Sequence, residues 1–187
     1  MGSIVAELIP HPQSARGAVK SISVGIGREL PDALFVMFKL EGDLGRIQSI
    51  DPEGPVERAD DLWQTTCFEC FIRDAGKAAY REFNLAPSMG WAAYDFASYR
   101  QGMTPVETIR PSGAMGVTDR LLTLEALLHF PMETRPRRTF AWRIGLSAVV
   151  EETDGAKSYW ALAHPPGPPD FHHPDCFALE LPSPVAP

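Results

Sequence analysis

Apolar and polar residues alternate along most of this chain, in short runs broken by Gly, Pro and Asp. Period-two alternation places one set of side chains on each face of a strand. Residues 3–9, 18–26 and 33–41 open the series, with Val19, Ile22, Val24 and Ile26 as the apolar positions of the second run. Residues 46–50 read as a short strand ending at the breaker Asp51-Pro52-Glu53-Gly54-Pro55. Three runs follow in an aromatic block, at 66–73, 78–85 and 91–98, separated by Asp74-Ala75-Gly76 and Ala86-Pro87-Ser88-Met89-Gly90. Residues 120–129 fit a helical stripe (Leu121, Leu124, Leu128) nearly as well as a strand, and the strands around them favour a strand. In 140–151, Phe140, Trp142, Ile144, Leu146, Ala148 and Val150 share one face. Residues 158–164 and 176–181 complete the set, and 182–187 read as a loose tail. Regular short strands with frequent turns predict an all-β sandwich or barrel.

Composition narrows the function classes. The 187 residues suit one domain, and no internal repeat or long linker divides them. A net charge of −7 argues against a nucleic-acid or anionic membrane surface as partner. The one basic run, Arg135, Arg137 and Arg138, is interrupted by Pro136 and reads as a solvated turn. The first residues lack a basic segment followed by an apolar core, so the expected location is the cytoplasm. Three cysteines form no complete disulfide framework. Cys67 and Cys70 make a C-x-x-C, but residues three apart on a strand point to opposite faces, which argues against a shared metal or disulfide.

No nucleotide-binding loop, nucleophile elbow or H-E-x-x-H motif is present. Asp170, His172, His173, Asp175 and Cys176 fall within seven residues. They read either as metal ligands or as braces of the loop His164-Pro165-Pro166-Gly167-Pro168-Pro169-Asp170, and the adjacency of the two histidines favours bracing. The stretch from Leu62 to Met103 is richer. Pyranose rings stack their C–H faces on aromatic planes, while their hydroxyls need polar partners. Trp63 stands just before a strand, Glu69 lies on it, and Arg81, Glu82 and Asn84 lie on the next run. Together they read as a sugar platform with polar contacts, or as rim packing by Trp63 and Trp91 with ordinary outward charges. A non-covalent haem would draw axial ligands from Met89, Met103, Met115, His129 and His172.

The order Leu62-Trp63, Cys67-Phe68-Glu69-Cys70-Phe71, Tyr80-Arg81-Glu82-Phe83-Asn84 and Trp91-Ala92-Ala93-Tyr94 continues downstream. Phe130-Pro131, Trp142-Arg143-Ile144, Ser158-Tyr159-Trp160 and Phe171-His172-His173-Pro174-Asp175-Cys176-Phe177 follow. Over residues 20–181 this series resembles the DOMON-like superfamily, in its branch related to family-nine carbohydrate-binding modules. The resemblance implies an all-β, jelly-roll or immunoglobulin-like β-sandwich of about ten strands, without catalytic machinery. It implies Trp63 as the platform and Glu69 as the strand carboxylate, with Arg81, Asn84 and Trp91 nearby and Phe171 and His172 as a loop motif shaping the same site. Some relatives hold structural calcium, and haem-binding ones use a Met and a His. The expectation is one domain over 1–187, with its core at 18–181, that binds a small sugar-containing molecule and is not an enzyme. A haem or redox module, or an interaction scaffold using an exposed sheet edge, is the alternative. A homo-oligomer stays open.

Overall fold

A computed structural model describes residues 4–14, 17–30, 33–50, 56–106, 111–130 and 141–182, apart from the side chains of residues 29 and 30. The basic run at 135–138, the breaker at 51–55, Pro131, Phe140 and most of the C-terminal tail lie outside the described residues. Within them the chain forms twelve strands: β1 (Ile4–Pro10), β2 (Val19–Leu30), β3 (Ala33–Gly42), β4 (Cys67–Asp74), β5 (Tyr80–Leu85), β6 (Trp91–Phe96), β7 (Thr104–Pro105), β8 (Ser112–Val117), β9 (Leu121–His129), β10 (Trp142–Glu151), β11 (Lys157–Ala161) and β12 (Leu179–Leu181). The fold is a β-sandwich.

The strands follow one antiparallel path, β7-β6-β5-β4-β10-β11-β1-β2-β3-β9-β8, with β12 joined to β10. The path curls at β1, which pairs with β2 over Ile4–Leu8 and then with β11 at Ile9 and Pro10. One layer holds β1, β2, β3, β9 and β8, and the other holds β11, β10, β4, β5, β6 and β7. Phe38 of β3 meets Phe68 of β4 at 5.0 Å between rings, which marks the contact of the two layers. Phe130 bridges Phe83 and Trp142 at 5.8 and 5.4 Å. These rings belong to one buried cluster with Ile22, Val24, Leu40, Leu122, Leu146 and Val150. Each such side chain contributes roughly 1.5–3 kcal/mol by leaving water.

Two expectations about elements change. Residues 46–50 form no strand; Leu44–Arg46 is a 3₁₀ turn, and both Leu44 and Ile47 are buried. Their three-residue spacing brings both onto the core from a tight turn. The run expected from 176 starts as another such turn, Pro174–Cys176, before the short β12. Residues 121–129 are a strand, with Leu122, Leu124, Ala126 and Leu128 inward.

Candidate functional site

The sheet β11-β10-β4-β5-β6 has a second face that the core does not use. The pleat sends Phe68, Cys70 and Ile72 of β4 into the sandwich and leaves Cys67, Glu69 and Phe71 on the far side. Cross-strand register extends that far face. Glu69 stands opposite Ser147 and Asn84, Phe71 opposite Glu82, Glu82 opposite Tyr94, and Val149 opposite Tyr159. A small aromatic cluster of Phe71, Tyr80, Tyr94, Phe96, Phe171 and Phe177 covers part of it. The rest opens into a cleft of about 940 Å³.

The cleft floor consists of Glu69, Glu82, Tyr94, Val149 and Tyr159. Three segments form its rim. The 3₁₀ turn Leu62–Gln64 contributes Trp63, which is 52% exposed. The β6–β7 loop contributes Arg100 and Met103, and the proline-rich loop contributes Pro169, Phe171 and His172. Lys157 stands at the start of β11.

Two floor carboxylates dominate the electrostatics. Glu69 and Glu82 are only 3% and 5% exposed. Glu69 accepts a hydrogen bond from Ser147 Oγ on Oε2 at 3.0 Å, and Glu82 accepts one from Asn84 Nδ2 on Oε1 at 2.7 Å. Burial pushes Glu69 up to about 8, and the neighbouring Glu82 adds to the rise. Burial likewise pushes Glu82 up to about 7. His172 goes the other way. Burial, with the Arg100 charge, lowers it to about 4, so it is neutral at pH 7. Its Nδ1 is 2.7 Å from Tyr80 Oη, and its Nε2 is 3.7 Å from Glu82 Oε2. Arg100 is tied to Asp170 by two contacts to Oδ1, at 3.2 Å from Nε and 2.8 Å from Nη2. Its backbone N–H donates to Tyr80 Oη at 3.2 Å.

Of the residues singled out from the sequence, Trp63, Glu69, Phe171 and His172 all line the cleft. Phe171 is nearly buried, against Tyr159 and His164. Asn84 lies beneath the floor, 1% exposed, and orients Glu82. Arg81 and Trp91 lie on the opposite face of the sheet. Arg81 pairs in bidentate fashion with Asp95 at 2.7 and 2.8 Å, and Trp91 packs in the main core. The parity that separates Cys67 from Cys70 also separates Arg81 from Asn84. Glu82, named with Arg81 and Asn84 as a polar contact, also lines the cleft, whereas Tyr94, Arg100, Lys157 and Tyr159 were not singled out for this site. Counting by twos from Asn84 reaches Glu82, which puts these two, of the three neighbours, on the cleft face. Arg100, Lys157 and Tyr159 arrive through long-range pairing that no local spacing announces.

The histidine-rich loop braces itself. His173 Nδ1 accepts from the Asp175 N–H at 3.3 Å, Asp170 holds Arg100, and Cys176 Sγ lies 3.2 Å from the carbonyls of Ala163 and Asp170. Among the described residues no group of three or more His, Cys, Asp or Glu is arranged to hold a metal ion. Two of the candidate haem ligands reach the cleft. His172 and Met103 both line the cleft, but His172 has Tyr80 on one ring nitrogen and Glu82 facing the other. Met115 packs against the main core.

No family model matches the chain, and no curated protein does. Solved structures do. A candidate carbohydrate-binding protein from Bacteroides uniformis aligns at a TM-score of 0.66 and 10% identity, over 92% of this chain and 83% of that one. A family 9 carbohydrate-binding module from Caldicellulosiruptor kristjanssonii, in complex with glucose, aligns at 0.53 and 13% identity, over 87% and 76%. The same kind of module from that organism, in complex with cellotriose, aligns at 0.54 and 13% identity, over 87% and 75%. At these identities the likeness is one of fold.

Proposed function

We propose that this protein is a non-catalytic module that binds a small carbohydrate in the cleft on the outer face of β11-β10-β4-β5-β6. One observation supports the reading above others: a half-exposed indole, Trp63, borders a floor where carboxylate oxygens and phenol rings lie side by side. A pyranose needs that combination, an aromatic plane for its C–H face and acceptors for its hydroxyls. The fold shared with modules solved with glucose and cellotriose agrees with it. We extend the kinship to the DOMON-like superfamily on the motif order in the sequence. In this reading Trp63 stacks on the sugar, Glu69 and Glu82 accept from hydroxyls, and Asn84 acts through Glu82.

A tryptophan-fluorescence titration against mono- and oligosaccharides tests it. Trp91, Trp142 and Trp160 are buried, so a ligand-induced change reports mainly on Trp63. Stacking that covers about 60 Å² of apolar surface contributes roughly 1.5 kcal/mol. A saturable response that weakens about tenfold in Trp63→Ala is the expected result. A normally folded Trp63→Ala protein that binds the same sugar equally well, or no response across the panel, overturns it.

A further inference from the structure

The floor carboxylates each have one oxygen held and one free. Glu69 Oε2 and Glu82 Oε1 are anchored by Ser147 and Asn84. Glu69 Oε1 and Glu82 Oε2 accept no hydrogen bond among the described residues, although both side chains are at least nine-tenths buried and line the cleft. Both oxygens border the cleft instead of the packed interior, so a ligand's donor can reach them.

The charges around the pair do not supply that donor. Arg100, on the β6–β7 loop, is held by Asp170. Lys157, on β11, donates to the Gln64 carbonyl at 2.6 Å and lies 3.8 Å from Glu151. His172, on the proline-rich loop, is neutral and 3.7 Å from Glu82 Oε2. The remaining titratable neighbours are Asp61 on the rim turn, the phenols of Tyr94 and Tyr159, and the buried Cys67 thiol. The Arg100 charge reaches both carboxylates and opposes their rise, but its guanidinium nitrogens bond Asp170 and not the free oxygens. Their sum leaves an acidic pocket lined by aromatic rings, a setting that favours an organic cation. No third ligating side chain joins the pair among the described residues, which disfavours a metal ion.

Building on the sugar-binding reading above, we propose that the cleft prefers sugars bearing a free primary amine, with the ammonium group seated at Glu69 Oε1 and Glu82 Oε2. The ring then faces Trp63, and the hydroxyls meet the remaining polar rim. The burial that raises both carboxylates means that they hold protons near neutrality without ligand. An arriving ammonium displaces one of these protons to solvent, so binding is coupled to proton release.

Calorimetric titration of the full chain with glucosamine, glucose and N-acetylglucosamine at pH 6.5, in two buffers of different ionisation enthalpy, reads both effects. Glucosamine is expected to bind about tenfold more tightly than glucose. It should release about one proton per ligand, whereas acetylation of the amine abolishes both preference and release. Glu82→Gln, checked for native folding by circular dichroism, should reduce the glucosamine-to-glucose ratio several-fold. Glucose bound as tightly as glucosamine, or glucosamine bound without proton release, overturns the amine preference and leaves the sugar reading intact. Failure of all three sugars and of the wider panel overturns both.

Discussion

Replacing Glu69 and Glu82 together by glutamine should flatten the pH dependence of stability between pH 6.5 and 8. Glu69 moves from 4.5 to about 8 on folding, and Glu82 from 4.5 to about 7. Between its unfolded and folded values each carboxyl keeps a proton in the native state that the unfolded chain has lost. The native state then binds more protons, so stability falls as pH rises through that window. His172 works in the opposite sense. Its value falls from 6.5 to about 4, so its contribution grows from pH 4 to 6.5 and is complete above that. His164 is lowered too and acts in the same direction. Asp60 and Asp170, depressed below 3.8, act only in stronger acid, and the buried thiols, raised above 9.0, act only in stronger base. From pH 6.5 to 8 the carboxylate pair is therefore the dominant variable. At 1.36 kcal/mol per unit, the coupled pair together accounts for about 2–3 kcal/mol across the window. Urea unfolding at half-unit steps should show the wild type losing about 2–3 kcal/mol across the window with a constant denaturant slope. The double variant keeps the acceptors for Ser147 and Asn84 but has no proton to lose, and its curve should be flat. A flat wild-type curve, or an equal slope in the double variant, would refute the argument.

Two further perturbations test the placement of the site. Asp95→Asn removes the partner of Arg81, whose side chain is 7% exposed, and should cost about 1–3 kcal/mol in urea unfolding. It should leave sugar affinity within about twofold, because the pair lies on the other face of the sheet; a loss as large as that of Trp63→Ala would show the face assignment to be mistaken. Tyr80→Phe deletes the hydroxyl shared by His172 Nδ1 and the Arg100 N–H. It should cost about 1–2 kcal/mol and speed amide exchange at Arg100 and across the proline-rich loop, and unchanged exchange there would separate Tyr80 from loop positioning.

Much of the fold was legible in the chain because most strands obey the period of two. β8 escaped because its residues, Ser112-Gly113-Ala114-Met115-Gly116-Val117, are small and mostly exposed, so no apolar alternation marks them. It exists through pairing with β9 along Ser112–Val117. The two-residue β7 is likewise defined by its partner β6. For the cleft, Trp63 and Glu69 were readable as an aromatic before a strand and an acid on it. Arg81 was grouped with Asn84 by proximity in sequence, whereas the pleat puts it back to back with the site, on Asp95. Arg100, Lys157 and Tyr159 depend on which strands become neighbours, a property of the whole sheet.

The far face of β4 and β5 carries the cleft while their near face carries the core, and every residue of β5 is buried. Those strands therefore have no idle positions. A one-residue slip would bring Glu69 and Glu82 into the sandwich and expose Phe68 and Phe83 in the same step. Variation among descendants of this protein is thus channelled into Trp63, Arg100, Met103, Phe171 and His172, which sit on turns and loops. The shape of the accepted molecule can drift quickly there, whereas which positions form the floor is inherited with the fold itself.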